Sequence, residues 1–353
     1  MEPGDEMSSM EPVDEVIARR RPRAPVMSDV GRLAGVSHQT VSRVINGSPH
    51  VRPETRKRVL EAMEELGYRP NSVARALVTG RSRTLGVVSF DTTLYGPAST
   101  LFGIEQAAHE AGYFIIVASL KALNRSSVTD AVERLRRQGV DGVLVIAPHE
   151  EAGDALLHMH ADVPMVAVEA GPDDGVPVVA VDQVAGAVSA TRHLLSLGHE
   201  TVWHISGPPN FIESRQRRDG WRATLEAAGA DVPEALVGDW SPNAGYELGR
   251  CLSTDSAVTA VFVANDQMAL GLLRAMHEAG RDVPGELSVV GFDDIPEAAY
   301  FLPPLTTVRQ DFNEMGTRSL RLLLRTIETG DGDSSGTLVP PELIIRASTT
   351  AAP

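Results

Sequence analysis

The sequence contains a single cysteine, Cys251, among its 353 residues. One thiol excludes an intramolecular disulfide and a metal site built from several cysteines, and it is typical of a reducing compartment. There is no run of 18 or more apolar residues, which excludes a membrane-spanning helix. The first 25 residues are polar and contain several prolines, so we expect a disordered tail, no signal peptide and a cytoplasmic location.

The sequence motifs that usually carry catalysis are also missing. The sequence has no serine nucleophile elbow, no phosphate-binding P-loop and no spacing typical of zinc ligands. The adjacent acids Asp293 and Asp294 resemble a glycosidase pair only weakly, because neighbouring positions at a strand end point in different directions. We therefore expect that this protein is not an enzyme and that it needs neither a metal nor a cofactor.

Positive charge is scarce overall but unevenly distributed. The net charge of the chain is −15, yet residues 26–83 carry +5, whereas residues 1–25 carry −2 and residues 84–353 carry −18. A basic segment attached to an acidic body is expected if only that segment contacts phosphate groups.

Residues 26–46, VMSDVGRLAGVSHQTVSRVIN, fit two short helices joined by a tight turn. Apolar residues recur at helical spacing in both halves, Gly35 supplies the turn, and the Ser37 hydroxyl can cap the second helix. This is the pattern of a helix-turn-helix, although an ordinary αα-hairpin with a polar face would fit this segment alone. Residues 53–66 fit a third helix that would cover the core of the pair. Gly31 lies inside the first helix, where glycine costs up to about 1 kcal/mol relative to alanine, so its replacement should stabilise the head.

From residue 84 onward, short β-branched apolar runs alternate with amphipathic helical stretches. We expect strands at 84–90, 113–119, 141–147, 164–169, 201–206, 258–266, 287–294 and 342–348. We expect helices at 98–112, 126–138, 152–160, 183–198, 214–229, 242–254, 266–280 and 311–329. Continuous apolar runs are typical of buried parallel strands, so the pattern predicts two doubly wound α/β units in tandem. The cleft between them, beyond the carboxyl ends of the strands, is the expected ligand site.

Three blocks of the sequence are long and specific: AGVSHQTVSRVINGSPHVRPETRKRVLEAMEELGYRPNSVARAL, VANDQMALG and PPLTTVRQDF. Together with the intervening sequence they resemble the lactose/galactose repressor family of bacterial transcriptional regulators over roughly residues 26–350. The resemblance implies an α/β protein with an N-terminal helix-turn-helix DNA-binding head and two tandem parallel-sheet subdomains, like a periplasmic binding protein.

The resemblance also implies limits for each part of the chain. We expect a tail (1–25), a DNA-binding head (26–70), a hinge helix with its linker (71–83) and an effector-binding and dimerisation domain (84–350). The N-subdomain would take about 84–181 and 311–338, and the C-subdomain about 182–310 and 339–350.

For DNA, the resemblance implies a homodimer that binds a pseudo-palindromic double-stranded operator. The base-reading positions correspond to His38, Gln39 and Arg43. The alternative for His38 is an exposed position that contacts no base. The alternative for Arg43 is a contact with a phosphate. Positions for phosphate contact or helix capping correspond to Ser37, Thr40, Ser42, Asn46 and His50. In the hinge, Ala74 would pack across the dyad and Leu77 would be the wedge in the minor groove.

For the effector, the resemblance implies a small sugar held in the cleft by planar polar groups and an aromatic wall. The positions that correspond to the family's effector site are Phe90, Asp91, Glu169, Arg217, Trp240, Asn265, Asp293 and Gln310. The stretch Leu94 to Pro97 corresponds, with Phe90 and Asp91, to the wall that the N-subdomain supplies. Core packing, surface charge or helix capping would explain several of these residues singly. Glu213 departs from the family pattern, because a small hydroxyl residue is usual there.

The sequence thus predicts a ligand-responsive repressor that a galactoside or another hexoside releases from its operator. Three alternatives stay open: a co-repressor-type regulator with an effector such as a purine, a stand-alone sugar-binding protein, and a regulator that responds to a protein partner. The basic segment argues against the second alternative, and the hydroxyl-binding residues argue against the third.

Overall fold

The computed structural model of the chain describes residues 25–45, 47–69, 80–120, 124–149, 152, 156, 162–171, 176–330 and 336–353. The predicted tail, the hinge helix at 71–77 and most of the predicted helix at 152–160 lie outside these residues. The chain divides into two compact units, which meet in the sequence between Arg81 and Ser82.

The described part of the first unit forms a helical head. Its helices are α1 (Met27–Ala34), α2 (His38–Ile45) and α3 (Pro53–Glu65). Gly35 ends α1 in the left-handed conformation, with φ of 65°, and the Ser37 hydroxyl accepts a hydrogen bond from the Thr40 amide at 3.2 Å. The predicted turn and cap are therefore confirmed.

A small apolar core holds the three helices together. It is built from Val30, Val41, Val44, Val59 and Tyr68, all of which are buried. Each helix contributes one apolar stripe, and the opposite face of α2 is left in solvent.

The prediction that replacing Gly31 would stabilise the head is wrong. A Cβ atom at this position would lie 2.9 Å from the backbone oxygen of Val36, and the Val36 amide donates to the Gly31 carbonyl at 2.9 Å. The turn passes so close to α1 that a side chain larger than hydrogen would collide with it. Close backbone approach, and not helix propensity, decides this position.

The second unit contains two lobes, each with a central sheet. In the N-lobe, strands β1 (Thr84–Phe90), β2 (Phe114–Leu120), β3 (Gly142–Ile146), β4 (Met165–Val168), β5 (Val178–Val181) and β11 (Thr337–Val339) run parallel in the order β11-β5-β4-β3-β1-β2. Helices α4 (Tyr95–Glu110), α5 (Arg125–Arg137) and α10 (Phe312–Thr329) cover this sheet.

The C-lobe repeats the arrangement. Strands β6 (Trp203–Ser206), β7 (Leu236–Val237), β8 (Ala260–Val263), β9 (Ser288–Asp293), β10 (Thr306–Arg309) and β12 (Glu342–Ile344) lie in the order β12-β10-β9-β8-β6-β7. Helices α6 (Gln183–Ser196), α7 (Ile212–Ala228), α8 (Pro242–Leu252) and α9 (Asp266–Glu278) pack around it. The sheet is parallel as predicted except at one edge, where the short strand β12 is antiparallel to β10.

The apolar runs of the sequence are explained by burial on both faces of each sheet. In β3, Val143 and Val145 face one apolar core, and Leu144 and Ile146 face the other. Successive side chains of a strand point to opposite faces, so a strand covered on both sides needs apolar residues throughout. No helix among the described residues is long and apolar enough to cross a membrane.

Candidate functional site

A cavity of about 270 Å³ lies between the two lobes of the body. Loops that follow the carboxyl ends of strands from both sheets supply much of its wall, as expected for α/β units of this kind. The lining residues are Thr93, Leu94, Tyr95, Gly96, Pro97, Glu169, Phe211, Glu213, Arg217, Asp239, Trp240, Ser241, Pro242, Asn265, Gln267, Asp293 and Gln310. The volume lies near the lower end of the range for small-molecule sites, about 300–1,000 Å³.

Six of the eight residues proposed for effector binding line this cavity. They are Glu169, Arg217, Trp240, Asn265, Asp293 and Gln310, and each exposes less than a tenth of its surface. The structure therefore brings together residues that lie up to about 140 positions apart in the sequence.

Phe90 and Asp91 do not lie on the lining of the cavity. The Phe90 ring packs edge-on against His149, with 5.0 Å between the ring centroids. Asp91 accepts a hydrogen bond from the Thr93 amide at 3.2 Å and another from the Thr93 hydroxyl. Asp91 thus shapes the loop that carries Thr93 to the cavity wall.

A chain of hydrogen bonds fixes the polar floor of the cavity. Arg217 Nε donates to Gln183 Oε1 at 2.8 Å, and Gln183 Nε2 donates to Gln310 Oε1 at 2.8 Å. Gln310 Nε2 in turn donates to Asp293 Oδ1 at 2.7 Å. Arg217 Nη1 closes the ring at 3.6 Å from the same Asp293 oxygen. A buried network with its partners in place holds each group in one orientation.

Aromatic rings position the Arg217 guanidinium from the apolar side. Its central carbon lies 3.8 Å from the centroid of the Phe292 ring and 5.7 Å from that of Trp240. Trp240 packs edge-on against Phe211 at 5.6 Å and forms part of the cavity wall. The arrangement presents a flat apolar face beside a planar polar group.

Asn265 has a structural role as well as a place in the cavity. Its Oδ1 caps α9 by accepting from the Met268 amide at 2.9 Å, and its Nδ2 donates to the Trp240 carbonyl at 3.0 Å. The second bond ties two loops of the cavity wall together. The alternative for Asn265 was a structural role in the turn after the strand, and capping α9 is such a role.

The cavity is rich in carboxyl groups. Burial raises the pKa of Asp293 to about 7, although Arg217 works in the opposite direction. Burial is also the main cause that raises the pKa of Glu169 and of Glu213, and the charge of Glu169 raises the pKa of Glu213 further. The ligand-free cleft therefore binds protons that ordinary surface carboxylates would lose.

Several residues at the cavity have unusual backbone conformations. The φ angles of Glu169, Trp240 and Asp293 are 61°, 71° and 111°. Non-glycine residues in this region cost about 1–3 kcal/mol each, and such residues concentrate at ligand sites. The surrounding structure holds these three side chains at the cavity despite that cost.

Sequence reasoning gave no role to Gln183 or Phe211, whereas the stretch Leu94 to Pro97 was expected on the N-subdomain wall and does line the cavity. Gln183 joins Arg217 to Gln310, which is 127 positions away in the sequence, so no local pattern reports the contact. Phe211 lies at the start of a helix that follows a strand end. That placement is a usable signal, because residues at such positions face the cleft.

The head presents a polar surface on α2. His38, Gln39 and Arg43 are exposed, whereas Val41 and Val44 on the other side of the helix are buried. Ser37 and Thr40 hydrogen-bond each other at the start of α2, Ser42 is partly buried and His50 is exposed. Asn46, Ala74 and Leu77 lie outside the described residues.

Comparisons with known proteins agree with this architecture. A family model described as bacterial regulatory proteins, lacI family, matches residues 26–71, and one described as periplasmic binding protein-like domain matches residues 191–349. The lactose operon repressor of Escherichia coli K12 is 33% identical over 326 residues, which cover 92% of this chain and 90% of that protein. The chain belongs to the lacI family.

Other members of the family are similar to the same extent. The HTH-type transcriptional repressor PurR of Haemophilus influenzae is 33% identical over 91% of this chain and 98% of its own length. A crystal structure of the lac repressor dimer bound to operator and the anti-inducer ONPF gives a TM-score of 0.83 at 32% identity, covering 93% of this chain and 100% of that chain. A transcriptional regulator CelR-cellobiose complex gives 0.68 at 33% identity, covering 92% and 99%. As a lacI-family member, the protein is a ligand-responsive, DNA-binding transcriptional repressor.

Proposed function

We propose that the repressor binds a pseudo-palindromic operator as a homodimer and that a small sugar, a galactoside or another hexoside, releases it. The observation that carries the proposal is the pre-formed network of Arg217, Asp293, Gln183 and Gln310 beside the Trp240 wall. Planar groups fixed in this way can hold neighbouring hydroxyls in pairs, and an aromatic face can cover the C–H surface of a sugar ring. A related protein in complex with cellobiose supports a sugar as the class of effector.

The proposed recognition of operator DNA depends on the exposed face of α2. Gln39 and Arg43 have side chains that can make bidentate contacts with adenine and guanine, respectively, and His38 lies beside them at the start of the helix. Ser37, Thr40, Ser42, Asn46 and His50 would position the helix on the phosphates, and Leu77 and Ala74 would act in the hinge. A regulator of this kind acts in the cytoplasm.

The two sites would communicate through the body. A ligand that contacts both lobes favours one angle between them, and that change would lower the operator affinity of the dimer. Glu169 from the N-lobe and Arg217 from the C-lobe line the same cavity, so a ligand in it contacts both. The opposite sign, in which the ligand promotes operator binding, is the alternative.

A ligand screen tests the proposed effector class. The unfolding temperature of the purified protein is measured with galactosides, glucosides, other sugars and purines. We expect a rise with at least one hexoside, because a ligand that binds the folded state stabilises it by mass action. Since repressors named PurR are equally similar, a rise with purines and none with any sugar would replace the sugar with a co-repressor-type effector.

A second experiment tests operator recognition. Labelled operator-like and random DNA duplexes are titrated at two salt concentrations. We expect sequence preference and a slope of log affinity against log salt of about −0.9 for each phosphate neutralised. A protein without sequence preference or salt dependence would contradict the proposed DNA contacts.

A further inference from the structure

Two acids on the cavity lining, Glu169 and Glu213, have few hydrogen-bond partners among the described residues. Glu169 is 7% exposed; its Oε1 accepts from the Thr100 hydroxyl at 2.8 Å, but its Oε2 is buried without a hydrogen-bond partner. Glu213, on α7, lines the same cavity and has neither a hydrogen bond nor an ion pair to any described residue. An unpaired buried carboxylate oxygen is costly unless a ligand satisfies it.

The Arg217 guanidinium is already committed to other partners. It donates to Gln183 at 2.8 Å and to the Ala264 carbonyl, and it lies 3.6 Å from Asp293. Arg217 is the only basic residue on the cavity lining within the described part of the chain. One cation therefore shares the cavity lining with four acids, the buried Glu169 and Asp293, the partly buried Glu213 and the exposed Asp239.

Both acids lie on one cavity wall, and the charge of Glu169 raises the pKa of Glu213 in addition to burial. Near neutral pH the two acids can stay protonated. When both ionise, their repulsion needs a compensating positive charge. The described residues contain no group of three ligands suited to a metal ion, which leaves an organic cation as the natural complement.

We propose that Glu169 and Glu213, on the lining of one cavity, receive a protonated amine of the effector, so that the effector is an aminohexose or another small polyol bearing an amine. This rests on the proposed function, because it refines the sugar expected in the same cleft. An ammonium group has three donors and can bond both carboxylates at once. A hydroxyl brings one donor and no charge, so a neutral sugar would leave the two acids unpaired.

Calorimetric titration of the purified wild-type protein tests this. The probes are galactose and glucose and their 6-amino-6-deoxy and 2-amino-2-deoxy forms, each titrated at pH 8. A 6-amino group is a primary alkylamine; the neighbouring ring oxygen lowers its pKa below the value of about 10.4 for lysine, but it stays mostly charged at this pH. The 2-amino group is less basic, because oxygens on both sides withdraw electrons, so the 6-amino forms are the decisive probes. We expect at least one aminohexose to bind about tenfold or more tightly than its parent hexose, as one charge-assisted hydrogen bond would provide.

Substitution at position 213 separates this role from a structural one. In Glu213→Gln and Glu213→Ser the preference for the amine should fall to within about twofold, since one of the two carboxylates is gone. The matched control is Glu226→Gln, an exposed glutamate on the same helix, which should keep the preference. The unfolding temperature of each ligand-free variant shows whether it is folded.

The pH dependence gives a second readout. The charged groups that face Glu213 are Glu169, Arg217 and Asp293, with Asp239 exposed on the cavity rim. The preference for a 6-aminohexose should grow from pH 6 to pH 8, because the acids lose their protons over this range. A purely structural Glu213 would not move this profile.

The outcomes are distinct. If the parent hexose binds as tightly as its amino forms, the inference is overturned while the sugar effector stands. If purines bind and neither hexoses nor aminohexoses do, both this inference and the proposed sugar effector fail. Loss of the amine preference in Glu226→Gln as well as in Glu213→Gln would also overturn the assignment to Glu213.

Discussion

At the scale of single residues, the cleft combines strained backbone, buried acids and one guanidinium. Glu169 and Asp293 keep positive φ angles and raised pKa values in the ligand-free protein. Both features cost folding free energy, and both place a polar group where a ligand can use it. The residues of the cleft are therefore arranged for a bound partner more than for the stability of the free protein.

The buried acids predict how stability depends on pH. The pKa of Glu213 is about 4.5 in the unfolded chain and about 8 in the folded protein. Such an acid contributes its full share of the unfolding free energy below the unfolded pKa, and this share is lost as the pH rises to the folded pKa. Ligand-free protein should thus lose unfolding free energy from Glu213 between pH 5 and pH 8. Burial lowers the pKa of His204 to about 3 and acts in the opposite direction, so the measurement is a comparison between proteins.

Denaturant unfolding at several pH values makes that comparison. The unfolding free energy of Glu213→Gln should fall less steeply with pH than that of the wild type. The difference in slope should correspond to the release of up to about one proton on unfolding. Glu226→Gln should follow the wild type. Parallel curves for Glu213→Gln and the wild type would show that Glu213 ionises normally.

Arg217 should be needed for the effector and not for the operator. In Arg217→Ala we expect effector affinity to fall by about 100-fold, because charge-assisted hydrogen bonds contribute about 1.5–3 kcal/mol each, while operator affinity stays within about twofold. The control is Arg218→Ala, which removes a neighbouring arginine whose partner, Asp219, is exposed. Effector and operator titrations of both variants measure this. Loss of both activities in Arg217→Ala would indicate a folding role.

At the scale of helices and strands, the close approach of two backbone segments can determine which residue fits a position, even where helix propensity favours another. Gly31 is an example, because the Val36 carbonyl occupies the space that a Cβ would need. We expect Gly31→Ala to destabilise the head by about 1–3 kcal/mol, the usual cost of overpacking. Ser28→Ala, at an exposed position of α1, should be neutral or slightly stabilising. Thermal unfolding followed by far-UV circular dichroism compares them, and a more stable Gly31→Ala would restore the propensity argument.

Long elements with strong patterns could be predicted from the sequence. Strand β3 has both faces buried and α10 has 18 residues with an apolar stripe, so each leaves a clear signal. Strands β5, β7, β10 and β11 were not predicted; each has only two to four residues.

Among the eight residues proposed for the effector, six line the cavity, whereas Phe90 and Asp91 do not. The ring of Phe90 packs against His149, and the Asp91 carboxylate accepts a hydrogen bond from the Thr93 amide of its own loop. Gln183 could not be found, because its role exists only after the chain has folded. Contacts made across the whole body have no local pattern in the sequence.

At the scale of the whole molecule, charge separates the two activities. Residues 26–83 carry +5 and residues 84–353 carry −18, so the body repels the phosphates that the head attracts. An acidic body keeps non-specific DNA contacts to the head. The same acidity suits a cleft that takes a cationic ligand, because long-range attraction raises the rate of encounter.

The last prediction concerns the coupling between operator and effector. If the effector lowers operator affinity by some factor, thermodynamic linkage requires that operator DNA lower effector affinity by the same factor. Typical couplings are about 1–3 kcal/mol, or about 5–150-fold.

Two pairs of titrations measure the coupling. The effector is titrated without and with saturating operator, and the operator is titrated without and with saturating effector. The two ratios of affinities should be equal. In Arg217→Ala, effector concentrations that saturate the wild type should leave the operator affinity unchanged, because the variant no longer binds the effector at those concentrations. A ratio of one for the wild type in both directions would show that the cleft and the head are not coupled, and tighter binding in both would identify a co-repressor.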